Sequence, residues 1–209
     1  MVNSDFDSEQ RDMLLERDKW YRKIKERKEK LKLKRGGTKF LGDVGVQVLA
    51  HHLERHLETR LPNLKVVRGP AFIVDFEERE FDMLIVDKAA TASEFTNAYP
   101  KSKAHIIVEV KSVGLICKKS DIKRRMKRDI IAVSVSLNLP ALYFSFIEAK
   151  SYREEIRKTL DEKDAFILAE SKGKKEPKPY ENEWKRFVDR VCDLICRKVP
   201  FSEARFLFL

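Results

Sequence analysis

Cysteine is scarce in this chain. Cys117, Cys192 and Cys196 are the only three in 209 residues, an odd set without paired metal spacing. Neither a disulfide framework nor a zinc ribbon is expected, and a reducing, cytoplasmic compartment is the default reading. Cys192 and Cys196 lie four apart in an apolar helical pattern and read as core residues. Long apolar runs are also missing. Nothing approaches the roughly 20 residues that a membrane span needs, and Met1 to Gln10 shows no signal-peptide pattern, so a soluble protein without a membrane partner is expected. A zincin motif is absent too: His52 and His56 have the i, i+4 spacing of a metal pair, but no glutamate follows His51 or His52 in the required pattern and no third ligand is evident. A solvated or packing role is the simpler reading for these histidines. There is no internal repeat.

What is present is a chain of 24.5 kDa with 43% hydrophobic residues, long enough for one ordinary domain with an appendage. The division read from composition is a charged N-terminal helical extension over residues 1–37 and an α/β domain over residues 38–209. The net charge of +10 favours a polyanion as partner, nucleic acid or an acidic surface.

Ser4 to Arg35 is dense in charge, with Met13, Leu14, Trp20, Tyr21, Ile24 and Leu31 at loosely helical spacing, and predicts a long surface helix. Its second half is strongly basic. It can lie along phosphates or an acidic partner, or it is a solvated face of a helix packed on the domain through Trp20 and Leu14. Gly36-Gly37 breaks it, and Phe40 to Leu61 predicts an amphipathic helix ended by Pro62. Strands are expected at Leu64 to Arg68, Phe81 to Val86 and His105 to Lys111, the first two separated at Gly69-Pro70 and the last two by a polar loop through Pro100. A helix capped at Ser120-Asp121 is expected to run to Leu137. It is followed by a buried strand over Ala141 to Ile147, a helix over Tyr152 to Leu160 and a strand over Ala165 to Ala169. Ser171 to Pro179 reads as an exposed loop and Tyr180 to Val199 as a closing helix. The apolar tail, Phe201 to Leu209, either docks as an edge strand or contacts another subunit. A homodimer is therefore conceivable through the N-terminal helix or this tail.

The strand ending Val108-Glu109-Val110-Lys111 places a carboxylate and an ammonium on one face of an otherwise apolar segment. The Glu-x-Lys spacing has little weight by itself, since it recurs at Glu26/Lys28, Glu148/Lys150, Glu170/Lys172, Glu176/Lys178 and Glu183/Lys185. The setting distinguishes Glu109 and Lys111, because the preceding strand carries Asp82. Neighbouring strands can bring Asp82 and Glu109 within reach of one divalent ion, and oxygen ligands suit Mg²⁺ or Mn²⁺. The Lys111 ammonium can then hold a water or stabilise charge developing at phosphorus. A surface ion pair between Asp82 or Glu80 and Lys111 is the competing reading.

With these residues and the order of elements from Thr38 to Ile147, the chain resembles the PD-(D/E)xK nuclease superfamily. That resemblance implies a restriction endonuclease-like core of helix, three-stranded meander, helix and strand, in a mixed sheet flanked by helices. It implies a Mg²⁺- or Mn²⁺-dependent nuclease that hydrolyses phosphodiesters, in DNA rather than RNA. Asp82 and Glu109 would be its metal ligands together with the Val110 backbone carbonyl, and Lys111 its catalytic lysine. A further acid is expected from the first core helix, which offers Asp43 and Gln47, with Gln47 standing where a glutamate would be. The second core helix brings Lys118, Lys119, Lys123, Arg124, Arg125 and Lys127 as nucleic-acid contacts, or as a solvated face. An inactive nucleic-acid-binding or assembly module of the same fold is the alternative.

Overall fold

The computed structural model describes residues 3–30, 38–93, 96–115, 117–172 and 175–196. Two helices open the chain, α1 (Asn3–Lys30) and α2 (Thr38–Arg60). An antiparallel hairpin follows, β1 (Leu64–Ile73) and β2 (Phe76–Asp87). After the short β3 (Ala98–Tyr99) comes β4 (Ala104–Lys111). The next helical stretch is α3 (Ile122–Met126), a π turn (Lys127–Ile131) and α4 (Ala132–Leu137). It leads to β5 (Ala141–Glu148), α5 (Lys150–Leu160), β6 (Ala165–Lys172), β7 (Lys175–Pro179) and α6 (Glu183–Cys196). Among the described residues no helix is long and apolar enough to cross a membrane.

The strands form one mixed sheet in the order β3-β1-β2-β4-β5-β6-β7. Its centre, β4-β5-β6, is parallel, and the flanking β1-β2, β2-β4 and β6-β7 pairs are antiparallel. β5 is buried along nearly its whole length, as expected of a parallel strand covered on both faces. One face carries α1, α2 and α6 over Leu49, Leu53, Val108, Val110, Phe144 and Trp184. The other carries α3, α4 and α5 over Leu84, Ile107, Ile122, Met126 and Ile156.

Several expectations are corrected here. Gly69-Pro70 does not separate two strands. It lies inside β1, at a register shift between Arg68 and Ala71, and the hairpin turns instead at Val74-Asp75, where Asp75 has φ of 68°. A Cβ on residue 69 would lie 2.3 Å from the Phe81 carbonyl oxygen. Glycine there lets β1 cross close to the backbone of Phe81 and Asp82. The polar loop before β4 contains β3, which pairs with β1 at Phe72–Ala98. The loop expected up to Pro179 instead supplies β7, with Ala169 opposite Pro179 and Glu170 opposite Lys178. Lysine and proline read as loop residues, yet both are tolerated on an edge strand that pairs on one side only. The helix after Ser120 is interrupted by the π turn. Trp20 is 48% exposed and does not pack α1 onto the domain; Phe6, Met13 and Leu14 do that. Cys192 is half-buried against the core, but Cys196 is exposed and not a core residue. The tail 201–209 and Gly36-Gly37 lie outside the described residues.

Candidate active site

Strand alternation decides which side chains meet. Met83, Val108 and Val110 point into the core under α2, whereas Leu84 and Ile107 point into the core under α3. Asp82, Glu109 and Lys111 therefore project on the α3 side, with the period of two that a strand imposes. β2 and β4 pair with Met83 opposite Val108, and just beyond that pair the two strands place Asp82 beside Glu109. The last ladder position is closed by a side chain: the Val110 N–H donates to Asp82 Oδ2 at 2.8 Å. Because the N–H and C=O of one strand residue face the same neighbour, the Val110 carbonyl also opens toward Asp82.

Lys111 joins the two acids. Its Nζ lies 2.5 Å from Glu109 Oε1 and 3.6 Å from Asp82 Oδ2, and 3.4 Å from the Val110 carbonyl oxygen. Burial alone would push the Lys111 ammonium down, but Glu109 and Asp82 outweigh it and the net direction is up, so Lys111 is held charged. Glu109 moves the other way from an ordinary ion-paired acid. Its burial, reinforced by the Asp82 charge, raises its pKa despite the pull of Lys111 and Arg79. Two carboxylates here share one ammonium, and the like charges disfavour ionisation of both at once.

The neighbouring backbone is clamped from several directions. Ser112, which follows Lys111, accepts at its carbonyl from Arg17 Nε of α1 at 2.6 Å. A Cβ on Gly45 of α2 would stand 2.9 Å from Ser112 Cβ, so a residue without a side chain is required for that approach. Ser145 Oγ on β5 donates to the Lys111 carbonyl at 3.3 Å. Glu148 ends β5 and is 2% exposed. It accepts from Tyr143 Oη at 2.7 Å and from the Leu115 N–H at 2.9 Å, tying down the loop after Lys111. Glu148 thus supports this site and does not form a rival one with Lys150. These supports carry no motif in the sequence; only the place of an acid at the end of an apolar run hints at Glu148.

Arg79 is the main residue that the sequence reading missed. Its guanidinium donates to the Asp129 and Arg128 carbonyls of the π turn at 2.9 and 3.2 Å. It also lies 3.9 Å from Glu109 Oε2 and 3.8 Å from Asp129 Oδ1. Both carbonyls belong to the π turn, an irregularity often found near functional sites. In sequence Arg79 is one charge in a charge-rich hairpin.

Of the other expected residues, Lys118, Lys119, Lys123, Arg124 and Lys127 are exposed along the start of the α3 stretch, and Arg125 is half-buried. Asp43 and Gln47 do not join the cluster. Both are exposed, and the Gln47 amide oxygen accepts from Arg68 Nη1 at 2.7 Å. The physical reason is topological, since α2 covers the face opposite to the one on which Asp82 and Glu109 project. His105, at the start of β4, pairs with Asp87 at 2.6 Å and not with the cluster.

No protein-family pattern and no curated protein matches this sequence. Solved structures do. NucC from P. aeruginosa ATCC27853 in its cAAA-bound form matches with a TM-score of 0.54 at 10% sequence identity, over 94% of this chain and 91% of that one. The cAAA-bound NucC from E. coli MS115-1 matches with a TM-score of 0.52 at 10% identity, over 94% of this chain and 90% of that one. The fold is restriction endonuclease-like. At such identity the likeness concerns the architecture, and the chemistry rests on the side chains of this chain.

Whether a hard divalent cation suits the cluster is a question of donor chemistry. Asp82, Glu109 and the Val110 carbonyl are oxygen donors on adjacent strand ends, and burial, with the Asp82 charge added, raises the pKa of Glu109. Mg²⁺ takes one or two carboxylates and keeps several waters, so the set fits. Among the described residues no group of three His, Cys, Asp or Glu side chains is assembled to hold a metal.

Proposed function

We propose that this protein is a divalent-metal-dependent nuclease that hydrolyses phosphodiester bonds in DNA, with Asp82 and Glu109 as ligands for Mg²⁺ or Mn²⁺ and Lys111 as the catalytic cation. The observation that carries the reading is the convergence of these side chains at the paired ends of β2 and β4, with Asp82 fixed by the Val110 N–H. A bound cation would act as a Lewis acid toward the phosphoryl oxygen and sharpen the attacking water. Lys111 is held protonated by its two carboxylates. It therefore orients a water toward phosphorus and stabilises the charge that grows on the phosphoryl oxygens as the P–O bond to the leaving strand breaks. Arg79, anchored on the π turn, keeps Glu109 turned toward Asp82. Lys118, Lys119, Lys123, Arg124, Arg125 and Lys127 supply phosphate contacts without sequence readout.

One observation favours the alternative of a binding module without cleavage: neither Asp43 nor Gln47 of α2 joins the cluster, and Gln47 is bound to Arg68 instead. Cleavage separates the two readings. Purified protein with plasmid DNA and Mn²⁺ is expected to cut, and Glu109→Ala and Lys111→Ala are each expected to lose about 100- to 1000-fold in rate. Equal behaviour of wild type and both variants would overturn the catalytic assignment. An RNA substrate of the same length, cut faster than DNA, would overturn the choice of DNA.

A further inference from the structure

Charge is distributed along α1 in a way that neither packing nor the helix dipole explains. From Asn3 to Asp18 the helix carries Asp5, Asp7, Glu9, Asp12, Glu16 and Asp18 against Arg11 and Arg17; from Lys19 to Arg27 it carries Lys19, Arg22, Lys23, Lys25 and Arg27 against Glu26. The dipole rewards acids and bases only within the first and last turns, whereas this asymmetry spans the described length of the helix.

The acidic half is the docked half. Phe6, Met13 and Leu14 are buried, and Gln10 donates to the Leu168 carbonyl at 3.1 Å and accepts from the Trp184 N–H at 2.9 Å. The boundary between the halves falls at Arg17, which is 6% exposed and holds the carbonyl of Ser112, the residue after Lys111. The basic half therefore begins at the catalytic end of β4. From Arg17 to Arg27 it continues for ten residues, about 15 Å of helix, and Ile24 still packs against the core. Lys19, Arg22, Lys23, Lys25 and Arg27 are all exposed along it, and Trp20 stands beside them under the Lys23 ammonium, 5.1 Å from its ring centroid.

A second basic segment starts a few residues after Lys111, with Lys118, Lys119, Lys123 and Arg124 exposed. The two segments are anchored on opposite faces of the sheet. α1 packs with α2 and α6, and α3 packs through Ile122 and Met126 on the other side. The end of β4, with Glu109 and Lys111, lies between them.

We infer that the basic half of α1 is a phosphate-gripping arm, and that with the start of α3 it forms a two-sided seat for a double-stranded nucleic acid laid across the end of β4. The position of the site in this seat rests on the nuclease reading; binding to the seat does not require cleavage. The test uses the full chain in EDTA with a fluorescent duplex DNA of about 20 base pairs, titrated across a range of salt. The variant Lys23→Gln/Lys25→Gln/Arg27→Gln changes three exposed side chains remote from the catalytic cluster. It is expected to bind about 10- to 100-fold more weakly at low salt, and to lower the slope of log affinity against log salt by roughly 2 to 3.

An unchanged affinity and slope would overturn the arm. A single strand of the same length that binds as tightly as the duplex and loses as much on substitution would overturn the two-sided seat. Absence of plasmid cleavage by wild type would sink the nuclease reading while leaving this salt dependence to be read, so the two failures are distinguishable.

Discussion

Glu9 on α1 and Glu109 on β4 are both carboxylates drawn out of water beside cationic or N–H donors, and their surroundings push them in opposite directions. Glu9 stands alone among donors. It accepts from His52 Nδ1 at 2.8 Å, His56 Nε2 at 2.7 Å and Trp184 Nε1 at 2.8 Å. Burial by itself would raise its pKa, but those three hydrogen bonds outweigh it and hold the acid well below the ordinary carboxylate range. Glu109 is buried more deeply and has a second carboxylate, Asp82, competing for the same Lys111, so burial first and the Asp82 charge second raise its pKa. The first cluster surrounds its acid with hydrogen-bond donors and ties α1 to α2 and α6. In the second, two carboxylates converge on Lys111, with Arg79 3.9 Å from Glu109. The i, i+4 histidine pair that resembles a metal site in sequence spends one nitrogen of each ring on Glu9, and His52 Nε2 lies 3.4 Å from Glu16 Oε2.

Substituting the two acids in turn is the sharpest way to test this contrast. Glu9→Gln removes charge-assisted hydrogen bonds and is expected to cost about 2–3 kcal/mol, on the order of 5–10 °C in melting temperature. Glu109→Gln in EDTA is expected to melt no lower than wild type, because it removes a buried charge and its repulsion from Asp82. The pH dependence follows the sign of each shift. The depressed Glu9 contributes stability that is present above its ordinary value near 4.5 and is lost as pH falls below it; the Glu9→Gln melting curve should lack that acid-labile part. Equal destabilisation by both substitutions would break the comparison.

A smaller effect tests the clamp beside the second cluster. Gly45→Ala puts a methyl group against Ser112 and is expected to destabilise by about 1–3 kcal/mol. It should lower the cleavage rate more than duplex affinity, since Ser112 adjoins Lys111 and the basic surfaces lie elsewhere. A rate equal to that of wild type would show that α2 does not set the geometry of the strand end. The smallest effect is that of the cation itself. Mn²⁺ at ten times its dissociation constant should stabilise wild type by about 1.4 kcal/mol, roughly 3–6 °C. Asp82→Asn should abolish that gain. Because Glu109 takes up its proton at a higher pH than an ordinary glutamate, the gain should fade on acidification earlier than an unshifted carboxylate would allow.

Legibility in the sequence tracked the range of the interactions involved. The apolar periodicities of β4, β5 and α2 place those elements close to where they form, because each is dictated by which face is buried, whereas β2 starts at Phe76, ahead of the expected Phe81. Asp82, Glu109 and Lys111 could be singled out because they interrupt such patterns. Gly69-Pro70 and the lysines and proline of β7 misled, since their local turn chemistry was overridden by strand pairing. Arg79 was invisible because its partners are backbone carbonyls on a π turn 50 residues away.

The sequence by itself determined that this is a basic α/β chain with two acids and a lysine at the ends of apolar strands, because alternation and charge are properties of neighbours along the chain. Only the tertiary structure decided that the Val110 N–H holds Asp82, that Gln47 and Asp43 face away, and that Arg17 of the N-terminal helix reaches the end of β4. These depend on which face of the sheet each helix covers, and that choice is made by the packing of the whole core.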